Sequence, residues 1–455
     1  MLKLLLCIRY LTRRKIVFLS ILAVAISTAL LVGVSSLFKG FIYAVENSMT
    51  THLGDVLITS PDPSVLMLES DDLCRHLEEL DIVKRATPVI STEGLMLLGK
   101  GNVRRTIVWG IDLESRTEAL GFNEFLVRQK DSPNPSFNPD SGGNESGFVG
   151  IGLAISPDPV TDEYRTEDLE NLYGRKLVLM TAVQEPYRMT GEPRKSGFEN
   201  LKRVNIPFTV SDAVFCGVHR FDSEYAFLPI SLLAEKLYPK FKQQRPAEII
   251  HIKMNSASRV SSRDIEQIRE SFSLFASERM NWPDMWINYT PISSSVDMQS
   301  RLIEEYRKQM DVLMVVFGII SGGVILLITC IFYMMVINRR KDIAVIRSFG
   351  LSRSGVAGIF ISFGITVGLL GSALGLFLGW LFVKNVNHIE RGIQQAFGLK
   401  IWKSSVYMFE RIPDQVEWKL AFILAAAAVG SAVIGSLLPA ILAAMVNPVK
   451  VLRYE

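Results

Sequence analysis

Four long apolar runs without charged residues constrain the fold of this 455-residue chain more than any other feature. An α-helix needs about 20 apolar residues to cross a bilayer. Four runs reach this length, at residues 16–38, 312–338, 354–383 and 420–449. One such run could be a core helix of a soluble protein, but four together are typical of a membrane protein. The sequence therefore predicts an α-helical integral membrane protein with four transmembrane helices.

The first run also bears on how the chain begins. Its 23 residues, IVFLSILAVAISTALLVGVSSLF, exceed the roughly 7–15 residues of a signal-peptide core, and no convincing cleavage site follows them. We interpret this run as a retained span that follows an amphipathic segment at residues 1–15. The formal charge of +3 and the hydrophobic content of 49% give no reason to expect a nucleic acid as a partner.

Basic residues near the spans predict the orientation, because cytoplasmic loops of membrane proteins carry an excess of Lys and Arg. The segment before the first span and the loop at residues 339–353 are rich in basic residues. These are Lys3, Arg9, Arg13, Arg14 and Lys15 in the first segment and Arg339, Arg340, Lys341, Arg347 and Arg353 in the second. We expect both segments, and the tail at residues 450–455, to lie in the cytoplasm.

This orientation leaves residues 39–311, and a shorter loop at residues 384–419, outside the cytoplasm. In the larger segment, alternating stretches such as RTIVWGI and PFTVSDAVF predict strands, and SSRDIEQIRESFSLFASE predicts a helix. A segment of this size and pattern is typical of a folded domain. We therefore expect a large inserted extracytoplasmic α+β domain.

The first two spans have apolar patterns that continue beyond the bilayer. After the first span, helical spacing connects Phe38, Phe41, Ile42, Val45 and Met49, and Gly54 follows as a helix stop. Before the second span, intervals of four connect Met298, Leu302, Tyr306 and Met310. The patterns predict either stalk helices that join the domain to the membrane or helices that pack the domain against itself. The sequence favours neither alternative.

Enzymatic motifs find no support in the sequence. GLMLLGKG has the glycine and lysine spacing of a phosphate-binding loop, but Gly101 stands where Ser or Thr would bind Mg²⁺. The five histidines are scattered, and none has the spacing of a metal site. We therefore expect no catalytic residue, no metal site and no cofactor in this chain. A disulfide between Cys74 and Cys216 stays open, since they pair only if they share an oxidising compartment.

The segment NRRKDIAVIRSFG, residues 338–350, combines apolar and cationic residues between the second and third spans. In a helix, Ile343, Ile346 and Phe349 lie on one side, and Arg340 and Arg347 share another. Such a helix can lie along an anionic membrane surface or dock in the groove of a partner protein. Composition alone leaves both alternatives open.

Several stretches resemble a known transporter family. NRRKDIAVIRSFGLSRSGVAGIF is similar to the signature loop of the four-span ABC permeases, which include the macrolide exporter and the cell-division permease, and LPAILAAMVNPVKVLRYE resembles their C-terminal ending. RYLTRRK with SSLFKGF, and VYMFERIPDQVEW, resemble the lipoprotein-releasing branch. The resemblance covers both ends of the chain well and the large domain only loosely.

The resemblance implies a multi-pass permease subunit of the bacterial inner membrane. ATP and Mg²⁺ would bind to a separate ABC ATPase subunit, present in two copies, and a second permease chain, identical or paralogous, would complete the transporter. The loop at residues 339–353 would be a coupling helix seated on the ATPase subunit. Its contact residues would be Arg339, Arg340, Lys341, Asp342, Ile346, Arg347, Phe349 and Gly350.

The resemblance also implies sites for a lipoprotein substrate and for a periplasmic lipoprotein carrier. A lipid cavity would lie between the first two spans. Helical phase selects Ile26, Leu30, Val34, Phe38, Phe317 and Ile320 as its candidates, and contact with membrane lipids is the alternative for each. The carrier would contact a loop near residues 183–204 through Tyr187, Arg188, Arg194 and Lys195, unless that loop is a plain surface hairpin.

Three functions fit these observations. The first is a permease subunit that extracts lipoproteins from the outer leaflet of the inner membrane and passes them to a carrier. The second is a mechanical relay that transmits ATPase motion to a periplasmic effector or efflux partner. The third is a membrane-anchored sensor, which the sequence disfavours because the expected cytoplasmic loop is too short for a signalling domain.

Overall fold

The computed structural model forms two compact units. The membrane unit comprises residues 1–44, 302–389 and 412–455, and the sheet unit comprises residues 45–301 and 390–411. The structure describes residues 15–62, 64–99, 101–132, 134–138, 145–158, 164–184, 201–255, 260–298, 300–398, 400–403, 409 and 411–447.

Helices and strands occupy most of the described residues. In chain order they are α1 (Lys15–Leu53), β1 (Val56–Thr59), α2 (Ser70–Glu78), β2 (Val83–Gly99), β3 (Asn102–Ile111), α3 (Leu113–Leu120), β4 (Ser146–Gly150), α4 (Ile151–Ala154), α5 (Thr166–Glu170), β5 (Lys176–Gln184), β6 (Leu201–Val214), α6 (His219–Glu224), β7 (Tyr225–Pro229), α7 (Ile230–Leu237), β8 (Ile249–Met254), α8 (Ser262–Glu278), α9 (Asp284–Tyr289), β9 (Ile292–Ser294), α10 (Ser295–Met298), α11 (Ser300–Asn338), α12 (Arg340–Ser348), α13 (Arg353–Phe397) and α14 (Trp418–Ala444).

Four of these helices, α1, α11, α13 and α14, are long and apolar enough to cross a membrane. Their bounds differ from those of the predicted spans most clearly at two ends. Helix α14 ends at Ala444 instead of residue 449. Helix α13 continues to Phe397, although the sequence predicted a loop from Lys384. The loss of apolar residues marks where a chain can leave lipid, whereas this helix ends only before Gly398, whose φ is 66°.

Glycines bring α13 into close contact with α1. Gly371, Gly375 and Gly379 lie four residues apart on one face of α13. A Cβ atom added at Gly375 would lie 2.6 Å from Cβ of Thr28 and 2.7 Å from the carbonyl oxygen of Ala25. Small residues let membrane helices approach closely, which strengthens van der Waals contact where lipid supplies no hydrophobic driving force. The α1–α13 contact therefore depends on glycine.

Other small residues join α14 to its neighbours. A Cβ atom at Gly368 of α13 would lie 3.0 Å from the Cα atom of Val429 in α14. On α11, the hydroxyl of Thr329 donates to the carbonyl oxygen of Gly435 at 2.9 Å. The half of α11 nearer its beginning has many exposed apolar side chains, namely Val312, Val315, Val316, Ile319 and Ile320. That half of α11 offers an uncovered apolar surface.

The sheet unit is built on a nine-stranded sheet in the described residues, with the order β3-β7-β4-β6-β5-β2-β8-β1-β9. Strand β2 also pairs with β3, so the pairing closes a ring of six strands. One hydrophobic core, which includes Val108, Leu179 and Phe208, involves the strands of the ring. A second core packs α2 and α8 against β1 and β8. The predicted α+β domain is confirmed.

The described cysteines are free. Cys74 is buried in the second core, and Sγ of Cys216 lies 3.2 Å from Oδ1 of Asp222. The structure thus answers the question that the sequence left open about these two residues, because they do not form a disulfide.

Helices α1 and α11 flank two neighbouring strands of the sheet, β1 and β9, in the chain. Helix α1 runs from Lys15 to Leu53 without interruption and stops before Gly54, the helix stop that the sequence predicted. Gly54 has a φ of 81°, and a Cβ atom there would lie 2.7 Å from the carbonyl oxygen of Ile252. Strand β1 then pairs with β9, which leads through α10 into α11.

The loop before α14 also contributes to the sheet unit. Phe409 forms an antiparallel bridge with Val218, and the indole N–H of Trp402 donates to the carbonyl oxygen of Phe409 at 2.9 Å. In the membrane unit, the side chain of Asn387 binds both backbone groups of Ile412, at 2.9 and 3.0 Å. These contacts position Trp402, Phe409 and Ile412, which lie in the stretch that the sequence predicted only as a loop.

We predict that Gly375→Ala destabilises the membrane unit. The added methyl group would overlap α1 and should cost about 1–3 kcal/mol, so the apparent melting midpoint in detergent should fall. Gly358→Ala is the matched control on the same helix, because a Cβ atom there meets nothing within 4 Å. Equal midpoints for the two variants would contradict the close α1–α13 contact.

Glu248 should make the stability of the sheet unit depend on pH. Its carboxyl accepts hydrogen bonds from the Tyr238 hydroxyl at 2.7 Å and the Ser91 N–H at 3.3 Å. Burial raises the pKa of Glu248 from 4.5 to about 7, so the folded state holds this proton more tightly. Stability should therefore fall as the pH rises from about 4.5 to 7, by at most about 1.4 kcal/mol per pH unit.

Melting midpoints between pH 5 and 8 test this dependence. Glu248→Gln should flatten the profile and raise the midpoint at neutral pH. Glu235→Gln, which changes an exposed carboxyl on α7, should leave the profile unchanged. An identical slope in wild type and Glu248→Gln would show that another group governs the pH dependence.

Candidate partner-binding helix

Helix α12 follows α11 after a single residue, and its own charges support it. Asp342 lies in its first turn and Arg347 in its last turn, where each charge opposes the adjacent end of the helix dipole. The guanidinium of Arg339 donates to the carboxylate of Asp342 at 2.5 Å. Gly350, with a φ of 95°, then reverses the chain towards α13. The predicted short helix between the second and third spans is therefore present.

One face of α12 packs against the membrane helices. Ile343 and Ala344 are buried, and Ile343 belongs to a core that includes Phe332 of α11 and Val367 of α13. Ile346, a predicted contact of the ATPase subunit, is half-buried and lines an apolar pocket. The other lining residues are Met335, Arg339, Ile343, Leu351, Val356, Ile359, Phe360 and Phe363. Ile346 therefore lies on the face of α12 that packs against the membrane helices.

Arg347 braces α12 against the end of α14. Its Nη1 atom donates to the carbonyl oxygen of Ala444 at 3.3 Å and also to that of Val446. These carbonyl groups lie at the end of α14, where the helix supplies no N–H partner. The sequence predicted that Arg347 contacts an ATPase subunit, but its guanidinium is engaged inside the membrane unit. A contact through this residue would compete with that brace.

The opposite face of α12 is open. Lys341, Val345 and Phe349 lie four residues apart and are exposed, and Phe349 is 86% exposed. We name these three residues the anchor face. Exposed aromatic residues are favoured at the centres of protein interfaces, and the anchor face is therefore a candidate binding surface. The sequence prediction missed Val345, although its spacing of four from Phe349 was visible.

The other predicted contact residues have different surroundings. Arg340 and Gly350 are exposed beside the anchor face, while Arg339 and Asp342 pair with each other. Among the described residues, no group of three or more His, Cys, Asp or Glu side chains could hold a metal ion.

The predicted lipid-cavity residues occupy α1 and α11. Ile26, Leu30 and Ile320 are exposed, and Val34, Phe38 and Phe317 are half-buried. On α1 the exposed residues lie opposite Val24 and Val32, which contact α13. The apolar faces of both helices are therefore uncovered in the single chain, and the assignment of a cavity to them stays a prediction.

The predicted carrier-contact residues Tyr187, Arg188, Arg194 and Lys195 lie outside the described residues. Strands β5 and β6 lead to this segment and pair up to Gln184 and Leu201.

Comparison with known protein families gives a match in the membrane unit. Residues 314–448 match the family described as FtsX-like permease C-terminal. The match includes most of α11 and all of α12, α13 and α14. Residues 314–448 therefore resemble an FtsX-like permease domain.

Curated relatives point to one branch within this class. The chain is 23% identical over 98% of its length, and 98% of the relative's, to the lipoprotein-releasing system transmembrane protein LolC of Neisseria meningitidis. It is 30% identical to LolC of Xylella fastidiosa and to LolE of Haemophilus influenzae, over 27% and 26% of this chain. Those two matches span 30% and 29% of the relatives' own lengths. The predicted resemblance to the lipoprotein-releasing branch is confirmed.

Solved structures show lower similarity. The periplasmic region of MacB from Actinobacillus actinomycetemcomitans is 14% identical, with a TM-score of 0.32, over 56% of this chain and 94% of that one. The extracellular domain of the transporter YknZ from Gram-positive bacteria is 11% identical, with a TM-score of 0.30, over 53% of this chain and 98% of that one.

We predict that Arg347→Met lowers the melting midpoint of the full chain. The substitution removes charged donors from carbonyl groups at the end of α14, which should cost about 1.5–3 kcal/mol. Arg340→Met, which removes an exposed cation from the same helix, should have little effect. If both variants melt like the wild type, the brace between α12 and α14 contributes nothing measurable.

Proposed function

We propose that this chain is the permease subunit of an ATP-driven transporter that extracts lipoproteins from the outer leaflet of the inner membrane and passes them to a periplasmic carrier. The observation that carries this proposal is the two-sided helix α12. One face is fixed to three membrane helices, and the other presents the exposed anchor face. The lipoprotein-releasing names of the relatives supply the cargo class.

In this proposal α12 receives force from a separate ABC ATPase subunit, present in two copies. A partner that binds Phe349 and Val345 moves α11, which α12 follows after one residue, and α14, which Arg347 braces. Nucleotide can drive such movement only if the ATPase subunits bind α12 differently in their open and closed states. Those subunits would bind Mg²⁺ and hydrolyse ATP.

The energetics of lipid transfer explain the need for an ATPase. Burial of an acyl chain contributes about 0.8 kcal/mol per methylene, so a chain of about 15 methylenes is held by about 12 kcal/mol. A lipoprotein with two or three such chains does not escape into water on its own. The uncovered apolar faces of α1 and α11 are suited to receive these chains, with a second permease chain, identical or paralogous, closing the cavity.

The orientation follows the basic residues. Residues 339–353 and both termini are assigned to the cytoplasm, and the sheet unit to the periplasm. A membrane-impermeant maleimide should label Ser348→Cys only from the cytoplasmic side of sealed vesicles, and Glu79→Cys only from the periplasmic side. A variant with Cys7, Cys74, Cys216 and Cys330 all replaced by Ser should serve as the background for both, because any of these thiols could otherwise add to the labelling. Labelling of Ser348→Cys from the periplasmic side would overturn the assignment of α12 as the ATPase contact.

The decisive experiment compares two phenylalanines of similar exposure. Phe349→Ala removes the aromatic ring of the anchor face. Phe397→Ala removes a 73% exposed ring at the far end of α13. We expect Phe349→Ala to reduce co-purification with a co-expressed ABC ATPase subunit, and lipoprotein-stimulated ATP hydrolysis, by at least about tenfold. Phe397→Ala should retain both, and both variants should melt like the wild type.

The readouts also separate the alternative functions. Stimulation of ATP hydrolysis by a purified triacylated lipoprotein, with its transfer to a soluble carrier, supports extraction. ATP hydrolysis that is indifferent to lipoprotein favours a mechanical relay. A wild-type chain that never associates with an ATPase subunit would contradict both functions. The function as a membrane-anchored sensor would then be favoured.

A further inference from the structure

Arg116 lies in an aromatic socket inside the sheet unit. Only 2% of its surface is exposed. Its guanidinium carbon lies 5.1 Å from the ring centroid of Trp109 and 5.6 Å from that of Phe122. No salt bridge to Arg116 exists among the described residues, and burial lowers its pKa to about 9. The guanidinium is therefore a buried cation at neutral pH, and none of the described carboxylates forms a salt bridge with it.

The acceptors of Arg116 belong to two different elements. Nη2 donates to the backbone carbonyl oxygen of His52 at 2.7 Å, and Nη1 lies 3.4 Å from Nδ1 of His251. Burial and the Arg116 cation lower the pKa of His251 well below its ordinary value, so its neutral ring can accept this bond. His251 lies in β8, which pairs with both β1 and β2.

His52 belongs to the last turn of α1. Carbonyl groups there have no helical N–H partner and carry the negative end of the helix dipole, which a cation neutralises. The side chain of His52 also contacts the sheet unit, because its ring centroid lies 4.6 Å from that of Phe125 and 4.8 Å from that of Phe221. The end of a membrane-crossing helix is thus the main electrostatic partner of Arg116.

Stabilisation of the fold does not by itself explain why a cation such as Arg116 is buried here. An apolar side chain of similar volume would avoid the cost of removing a charge from water, and such replacements are often neutral or stabilising. In contrast, a buried cation that loses its acceptor is strongly destabilised. Arg116 therefore makes any separation of α1 from the socket costly in a way that an apolar residue does not.

We propose that Arg116 is the positioning residue that transmits displacement of α1 to the sheet unit, an inference that rests on the proposed transporter function. When α1 moves, the carbonyl group of His52 moves with it, and the guanidinium follows to keep its acceptor. Arg116 lies in helix α3, and its other partner His251 lies in strand β8. The movement therefore reaches the sheet through two elements.

Hydrogen–deuterium exchange of the full chain in lipid nanodiscs tests the contact directly. In Arg116→Met, amides of residues 46–55 should exchange about tenfold faster, because the end of α1 loses its charged donor. Peptides from β3 and β8 should exchange as in the wild type, and the melting midpoint should not fall. Arg116→Lys, which keeps the charge, should restore part of the protection.

Arg85→Met is the matched control. Arg85 pairs with Glu78 and with Glu118 of α3, but it is exposed and does not reach the socket. This variant should leave exchange at residues 46–55 unchanged. Wild-type exchange in Arg116→Met would overturn the proposal. Faster exchange throughout the sheet unit, together with a lower melting midpoint, would also overturn it, because Arg116 would then be a general stabilising residue.

A second readout separates this inference from the proposed function. In the complex with the ATPase subunit, Arg116→Met should retain ATP hydrolysis and lose at least about tenfold in the transfer of lipoprotein to the carrier. Retained transfer would overturn the role of Arg116. If the wild-type complex transfers no lipoprotein, the proposed function fails, whereas the exchange experiment still judges whether Arg116 holds α1 to the sheet.

Discussion

The backbone pairing of β1 with β9 is the constraint on which the rest of the structure depends. Val56 pairs with Ser294, and the N–H of Ser295 donates to the carbonyl oxygen of Asp55 at 3.1 Å. The Asp55 carboxylate also accepts the N–H of Met254 at 2.9 Å, which ties this pair to β8. Because α1 precedes β1 and α11 follows β9, the two helices cannot separate at this end unless sheet hydrogen bonds break.

The membrane unit is held by close contact and by helix-end chemistry. Gly375 lets α13 approach α1, Thr329 binds the backbone of α14, and Arg347 joins α12 to the end of α14. Arg116 plays a comparable part in the sheet unit, where it binds a carbonyl group at the end of α1. In both units an arginine satisfies carbonyl groups that a helix leaves without partners.

Features set by local composition were predictable from the sequence. The four spans, the stop at Gly54 and the short helix α12 follow from apolar length, glycine and helical spacing. Features set by distant contacts were not. Arg347 resembles any other basic residue of its loop until Ala444 is placed beside it, and nothing in LESRTEAL indicates that Arg116 is buried. The end of α13 was missed because the loss of apolar residues after residue 383 marks where a chain can leave lipid, whereas the helix continues to Phe397.

The junction between α1 and β1 contains only Gly54 and Asp55, and this brevity has a consequence for how the chain can diverge. A loop with slack would absorb an extra residue, but here one residue inserted into α1 would turn every following position by about 100° and advance it by about 1.5 Å. His52 would then face away from its aromatic neighbours. We therefore expect the length of α1 to vary far less than the identity of its residues.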